Sequence, residues 1–121
     1  MVKALFDTNI LIDFLNASPQ ARAELNRYQD RAISIITWME VLVGAPPSVE
    51  SATRAFLAEF EVIGLDGKIA ERAVVLRQAN RIKLPDAIIW ASAQETGGLL
   101  VTRNRKDFPE SDPSVRIPYD L

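Results

Sequence analysis

A chain of 121 residues and 13.5 kDa, 48% hydrophobic and 25% charged, has the size and composition of one folded domain, expected over residues 1–121, that buries a core without staples. With no histidine and no cysteine, Ser-His-Asp and Cys-His nucleophilic catalysis, imidazole bases, thiolate metal sites and disulfides are all excluded. A net charge of −2 and a pI near 5.1 exclude a whole-molecule basic footprint, so binding to a polyanion needs a local patch.

In chain order, short runs rich in Val, Ile and Leu alternate with longer stretches of helical periodicity. "VKALF" (2–6), "AISII" (32–36), "EVIGL" (61–65), "LLVT" (99–102) and "SVRI" (114–117) predict buried strands. Between them, residues 9–16, 20–29, 38–44, 50–60, 67–80 and 86–96 carry apolar residues at helical spacing, with Asp66 as an N-cap and Gly97-Gly98 as a stop. The alternation implies βαβ units and an α/β fold: a three-layer α/β/α domain around a mostly parallel sheet of about five strands. No stretch approaches the ~20 apolar residues of a membrane span. The N-terminal run breaks at Asp7, too early for a signal peptide, so the expected compartment is the cytoplasm.

Three acids stand at the edges of apolar runs: Asp7 in "LFDTNILIDFL", Glu40 in "SIITWMEVLVGA" and Asp86 in "KLPDAIIWASA". Each has a purely structural reading. Asp7 suits an N-cap, Thr37-Trp38-Met39-Glu40 matches a capping box, and Asp86 after Pro85 suits the first turn of a helix. Together they mean more, because each follows or opens an element at the end of an open parallel sheet where ligands bind. Carboxylates gathered there repel one another unless a cation joins them. Mg²⁺ or Mn²⁺ suits such oxygen donors and, in a chain without histidine, opens a route to phosphodiester hydrolysis by an activated water.

"DTNILIDFL", "TWMEVLVGA", "LPDAIIWASA" and "LLVTRNRKDF", in this order and spacing, resemble the PIN domain and, within it, the VapC-type toxins of bacterial toxin–antitoxin pairs. The likeness covers nearly the whole chain. It implies a metal-dependent endoribonuclease acting on RNA with Mg²⁺ or Mn²⁺, a homodimer, and inhibition by a cognate antitoxin protein. Carried over residue by residue, Asp7 and Asp86 match the family's principal metal-binding aspartates and Glu40 its motif glutamate, expected to complete the metal cluster directly or through water. Where many relatives carry a further acid, this chain has Asn104, with Asp107 three residues on. Asn104 supplies no negative charge, which leaves one or two metal ions open.

Thr8, Asn9 and Thr102 are candidates to support the acids, while Asp13 is expected to face solvent or be paired. Arg103, Arg105 and Lys106, with Arg81 and Lys83, are candidate cations for an RNA backbone. A receiver-like phosphoacceptor domain would want adjacent acids after the first strand and a late lysine. A haloacid-dehalogenase-like phosphohydrolase would want an Asp at position 9. Thr8, Asn9 and Arg103 disfavour both. The remaining alternative is a non-catalytic or antitoxin-binding α/β module whose acids are helix caps.

Overall fold

The protein is described by a computed structural model covering residues 2–121. Five strands, β1 (Lys3–Phe6), β2 (Asp30–Ser34), β3 (Glu61–Ile63), β4 (Leu99–Val101) and β5 (Val115–Arg116), form one sheet in the order β3-β2-β1-β4-β5. Every pairing is parallel. Six helices connect them: α1 (Thr8–Leu15), α2 (Pro19–Asn26), α3 (Ile35–Val43), α4 (Glu50–Leu57), α5 (Gly67–Ala79) and α6 (Leu84–Glu95), with a short 3₁₀ turn at Pro47–Val49.

Side chains along a strand alternate between faces, and here the alternation sorts the core into two halves. Ala4, Phe6, Ile33 and Val101 pack with Ile10, Leu11, Leu25, Val41 and Leu57 of α1 to α4. Leu5, Ala32 and Leu100 pack instead with Ile69 and Ala73 of α5 and Ala87, Ile89 and Trp90 of α6. A strand covered on both sides must be apolar throughout, which is why "ALF" at the centre of the sheet is uninterrupted and buried. The three-layer α/β/α arrangement follows directly.

Chain order around β1 decides where a ligand can enter. The chain steps outward from β1 to β2 and β3, then returns to the other side of β1 for β4 and β5. The strand order therefore reverses between β1 and β4, and α1 leaves β1 while β4 leads through a turn into β5, which leaves a crevice at the carboxyl ends of the two neighbours. Gly97 and Gly98 deliver β4 to that position. Gly97 takes φ +69, its N–H donates to Gln94 O at 3.2 Å and that of Gly98 to Ala93 O at 2.7 Å, the paired bonds of a Schellman stop.

Several expected boundaries move by one to three residues, and the one at the start of α3 matters to the site. The second strand ends at Ser34 rather than at residue 36, because the Ser34 hydroxyl accepts from Ile36 N–H at 3.0 Å and opens α3 there. Thr37 is thus inside the helix, and the capping-box reading of Thr37 and Glu40 fails. Glu40 lies in the second turn of α3, one turn beyond Thr37 and on the same face. The last strand is only Val115–Arg116, with Ser114 and Ile117 of the expected run falling outside the ladder.

Candidate active site

Asp7 leaves β1 with its N–H bonded to Val101 O of β4 at 2.8 Å. Its side chain is thereby fixed between the two strands at the reversal point. It caps α1, Oδ1 accepting from Thr8 N–H at 2.7 Å, and Oδ2 accepts from the Thr102 hydroxyl at 2.7 Å and from Asn9 Nδ2 at 3.2 Å. A carboxylate oxygen has two lone-pair directions, so the protein saturates Oδ2 and leaves one position on Oδ1 for another partner. The cap and the functional reading of Asp7 are compatible, since the cap uses only part of the carboxylate.

Asp7 is 4% exposed and has no cation within ion-pair distance among the described residues. Burial pushes its carboxyl up to about 6. The bonds from Thr102 and the Thr8 amide work against that rise, and the charges of Asp86 and Glu40 add to it. Asp86, in the first turn of α6 and half-buried, is raised as well, by burial first and then by Asp107 and Glu40, with Lys83 opposing. The three acids of the sequence therefore lie close enough to feel one another's charge. They line one shallow crevice with Thr8, Asn9, Asn104 and Arg103.

The neighbouring hydroxyls and amides tie the crevice together. Thr8 Oγ1 donates to Glu40 Oε1 at 2.6 Å and lies 3.0 Å from Thr37 Oγ1, so a bond between α1 and α3 aims the otherwise exposed Glu40 carboxylate. Asn9 accepts from Arg103 N–H at 3.1 Å and contacts Thr102 Oγ1 at 3.3 Å, fastening the start of α1 to the end of β4. Asn104 and Asp107 hold each other: Nδ2 of Asn104 donates to Asp107 Oδ2 at 2.9 Å, and Asp107 N–H donates to Asn104 Oδ1 at 3.2 Å. Asn104 reaches the crevice, whereas Asp107 borders it from outside. Thr37 is not among the candidates that the sequence singles out; its signal is a hydroxyl one helical turn before Glu40.

The expected cations divide differently. Arg103 lines the crevice, but its guanidinium is committed to buried Asp13, Nε to Oδ2 at 2.7 Å and the second bond at 3.0 Å, with Tyr119 O–H donating to the same carboxylate at 2.9 Å. Asp13 is therefore paired and buried rather than solvent-facing. Arg105 points elsewhere, bonded to Asp120 and Glu110. Of the expected basic positions, Arg81, Lys83 and Lys106 have no acidic ion-pair partner among the described residues, and Lys83 lies beside Asp86.

For a divalent cation the donor set is all hard oxygen. Among the described residues no three acids close into a full ligand cage. Mg²⁺ takes one or two carboxylates and keeps exchangeable waters. The residues present fit such an ion, because a buried carboxylate pushed up toward 6 by burial and like charge is relieved by it.

An open parallel sheet whose reversal point carries carboxylates without counter-charges places the protein among α/β domains with an acidic site. Comparison with known proteins narrows the class. Residues 4–112 match the PIN domain. The chain is similar to a solved toxin–antitoxin complex from Klebsiella pneumoniae, at 49% identity over 98% of this chain and 100% of that one, with a TM-score of 0.93. It is similar to DNA-bound VapBC from Salmonella typhimurium at 26% identity over 96% of each chain, TM-score 0.77. FitAcB from Neisseria gonorrhoeae shares the fold at 22% identity over 98% of this chain and 99% of that one, TM-score 0.81. Curated protein sequences gave no match. The chain belongs to the PIN-domain family, and the resemblance to its VapC-type toxins holds.

Proposed function

We propose that the protein is a metal-dependent endoribonuclease and the toxin of a toxin–antitoxin pair. The observation that carries this reading is Asp7, a buried carboxylate without a counter-charge at the β1/β4 reversal point, facing Asp86 and Glu40. Membership of the PIN-domain family and the likeness to toxin–antitoxin complexes support it.

Asp7 and Asp86 would hold Mg²⁺ or Mn²⁺. When bound, the ion supplies activation of a water and neutralisation of charge on the phosphodiester. Glu40 is aimed by Thr8 through Oε1, and its second oxygen accepts a proton from the attacking water. Thr102 and Asn9 keep Asp7 from rotating away, and Asn104 orients a water or a substrate oxygen at the rim. Lys83 contributes positive charge to the phosphate oxygens.

The partner is a cognate antitoxin that presents a basic side chain to the acidic crevice, and the working form is a homodimer. No helix of the described residues is long and apolar enough to cross a membrane. The test is cleavage of a set of structured RNAs with Mg²⁺, Mn²⁺ or EDTA, beside Asp7→Asn. Metal-dependent cutting that is lost in the folded variant supports the reading. Absence of cutting by folded wild type under every condition overturns it.

A further inference from the structure

Among the described residues, most cations are spent on ion pairs: Lys3, Arg27, Arg31, Arg54, Arg72, Arg103, Arg105 and Arg116 each have an acidic partner. Arg77, Arg81, Lys83 and Lys106 have none, and these four line one concavity. It is formed by the last turn of α5, the loop into α6 and the turn after β4. Its only acid is Asp107. In a protein of net charge −2, a concentration of uncompensated positive charge on one surface costs mutual repulsion, and that repulsion is relieved when a polyanion binds.

Its position gives the charge a direction. Asp107 belongs to the concavity and is hydrogen-bonded to Asn104 of the acidic crevice. Lys83 belongs to it too, and its charge acts on Asp86. The two depressions therefore share a border along Lys83–Asp86 and Asn104–Asp107. On the other side of the crevice the guanidinium of Arg103 is occupied by Asp13, and Arg105 by Asp120 and Glu110.

We infer that this cationic concavity is where the RNA strand is held, its phosphates running from Arg77 and Arg81 past Lys83 and Lys106 before the scissile phosphate reaches Asp7 and Asp86. The inference rests on the ribonuclease reading and assigns the approach side of that site. Four separate charges on flexible stems bind a phosphate backbone without reading bases. Arg77 also suits the negative end of α5. A control on the same helix is therefore needed: Lys68 near its other end is unpaired and shares its depression with Glu71 and Glu95.

The experiment measures binding of a short fluorescein-labelled single-stranded RNA in EDTA across a salt series, for wild type, the double variant Arg77→Glu/Arg81→Glu, Lys106→Glu and Lys68→Glu. Wild type is expected to bind with a salt-dependent affinity. The double variant is expected to bind about tenfold or more weakly, with the log–log salt slope reduced by ~0.7 for each phosphate no longer neutralised. Lys106→Glu should weaken binding less, and Lys68→Glu should match wild type. With Mg²⁺ present, the double variant should raise KM for RNA and leave kcat unchanged.

Equal weakening by Lys68→Glu and by Lys106→Glu, which change the net charge by the same amount, would show an effect of net charge alone and overturn the inference. So would a double variant that binds like wild type. Because binding is read in EDTA, a wild type that binds through this surface yet never cleaves defeats only the nuclease reading. Cleavage with KM unmoved in the double variant defeats only the concavity.

Discussion

Asp7 and Glu24 are equally buried, each 4% exposed, yet the protein treats them in opposite ways. Glu24, on α2, receives two bonds from the guanidinium of Arg116, at 2.6 and 3.0 Å, and a third from Tyr28 O–H at 3.2 Å. That cluster ties α2 to the edge strand β5. Asp13 is handled likewise by Arg103 and Tyr119, which anchors the C-terminal segment to α1. Asp7 is given hydroxyl and amide donors but no cation, and has two further acids as neighbours. A buried acid with a guanidinium is a clamp. A buried acid denied one, beside other acids, attracts positive charge from outside the chain.

The largest effect should come from removing the charge at Asp7 while keeping its shape. Asn is as good an N-cap as Asp, so Asp7→Asn is expected to fold, retain α1 and lose cleavage by about 10²–10³-fold or more. Mg²⁺ is expected to raise the melting temperature of wild type and to leave that of the variant unmoved, because a ligand stabilises only what binds it in the folded state. A variant that still cleaves, or still responds to Mg²⁺, would place Asp7 with the clamps.

The mirror experiment is Glu24→Gln. It leaves the Arg116 guanidinium half-satisfied, and breaking such a pair is expected to cost about 2–3 kcal/mol by urea denaturation, less than for a fully buried pair because Arg116 is partly exposed. Cleavage per folded molecule should not change. A fall in activity without a fall in stability would erase the distinction between the two kinds of acid.

The distinction also has a pH signature. With its carboxyl raised from 3.8 to about 6, native Asp7 holds its proton where the unfolded chain has released it. Its contribution favours the native state below about pH 4 and is lost as pH rises through 6. By pH 7 the metal-free protein should carry a penalty of roughly 3 kcal/mol from this residue. Comparing stability in EDTA, Asp7→Asn should therefore exceed wild type at pH 7 and converge with it near pH 4. Parallel curves would mean that burial and neighbouring acids do not strain Asp7.

Much of this is legible in the residues alone, for physical reasons that differ between elements. Ala4–Phe6 of β1 is an unbroken apolar run, so a buried strand is legible there. Asp7, Glu40 and Asp86 are conspicuous because a charge beside such a run is costly. The start of α3 is not legible, because Ser34 and Thr37 are both competent caps and only packing against the sheet, where Ile36 joins the core, chooses between them. The fates of the cations are hidden for a different cause. Arg103 meets Asp13 across 90 residues and Arg116 meets Glu24 across 92, separations at which no local pattern says which charges are spent.

The smallest expected effect concerns Asn104, an uncharged side chain at the rim of the acidic crevice. Its Nδ2 donates to Asp107, itself a source of the upward pressure on Asp86. Asn104→Asp replaces that bond with two facing carboxylates, so the metal-free protein should lose about 1 kcal/mol. The added charge should at the same time tighten Mg²⁺ several-fold in a thermal-shift titration, since charge count at an open oxygen site sets its affinity. If stability falls and Mg²⁺ affinity does not rise, Asn104 lies beyond the reach of the ion. Its role is then to hold Asp107 at the border between the acidic crevice and the cationic surface.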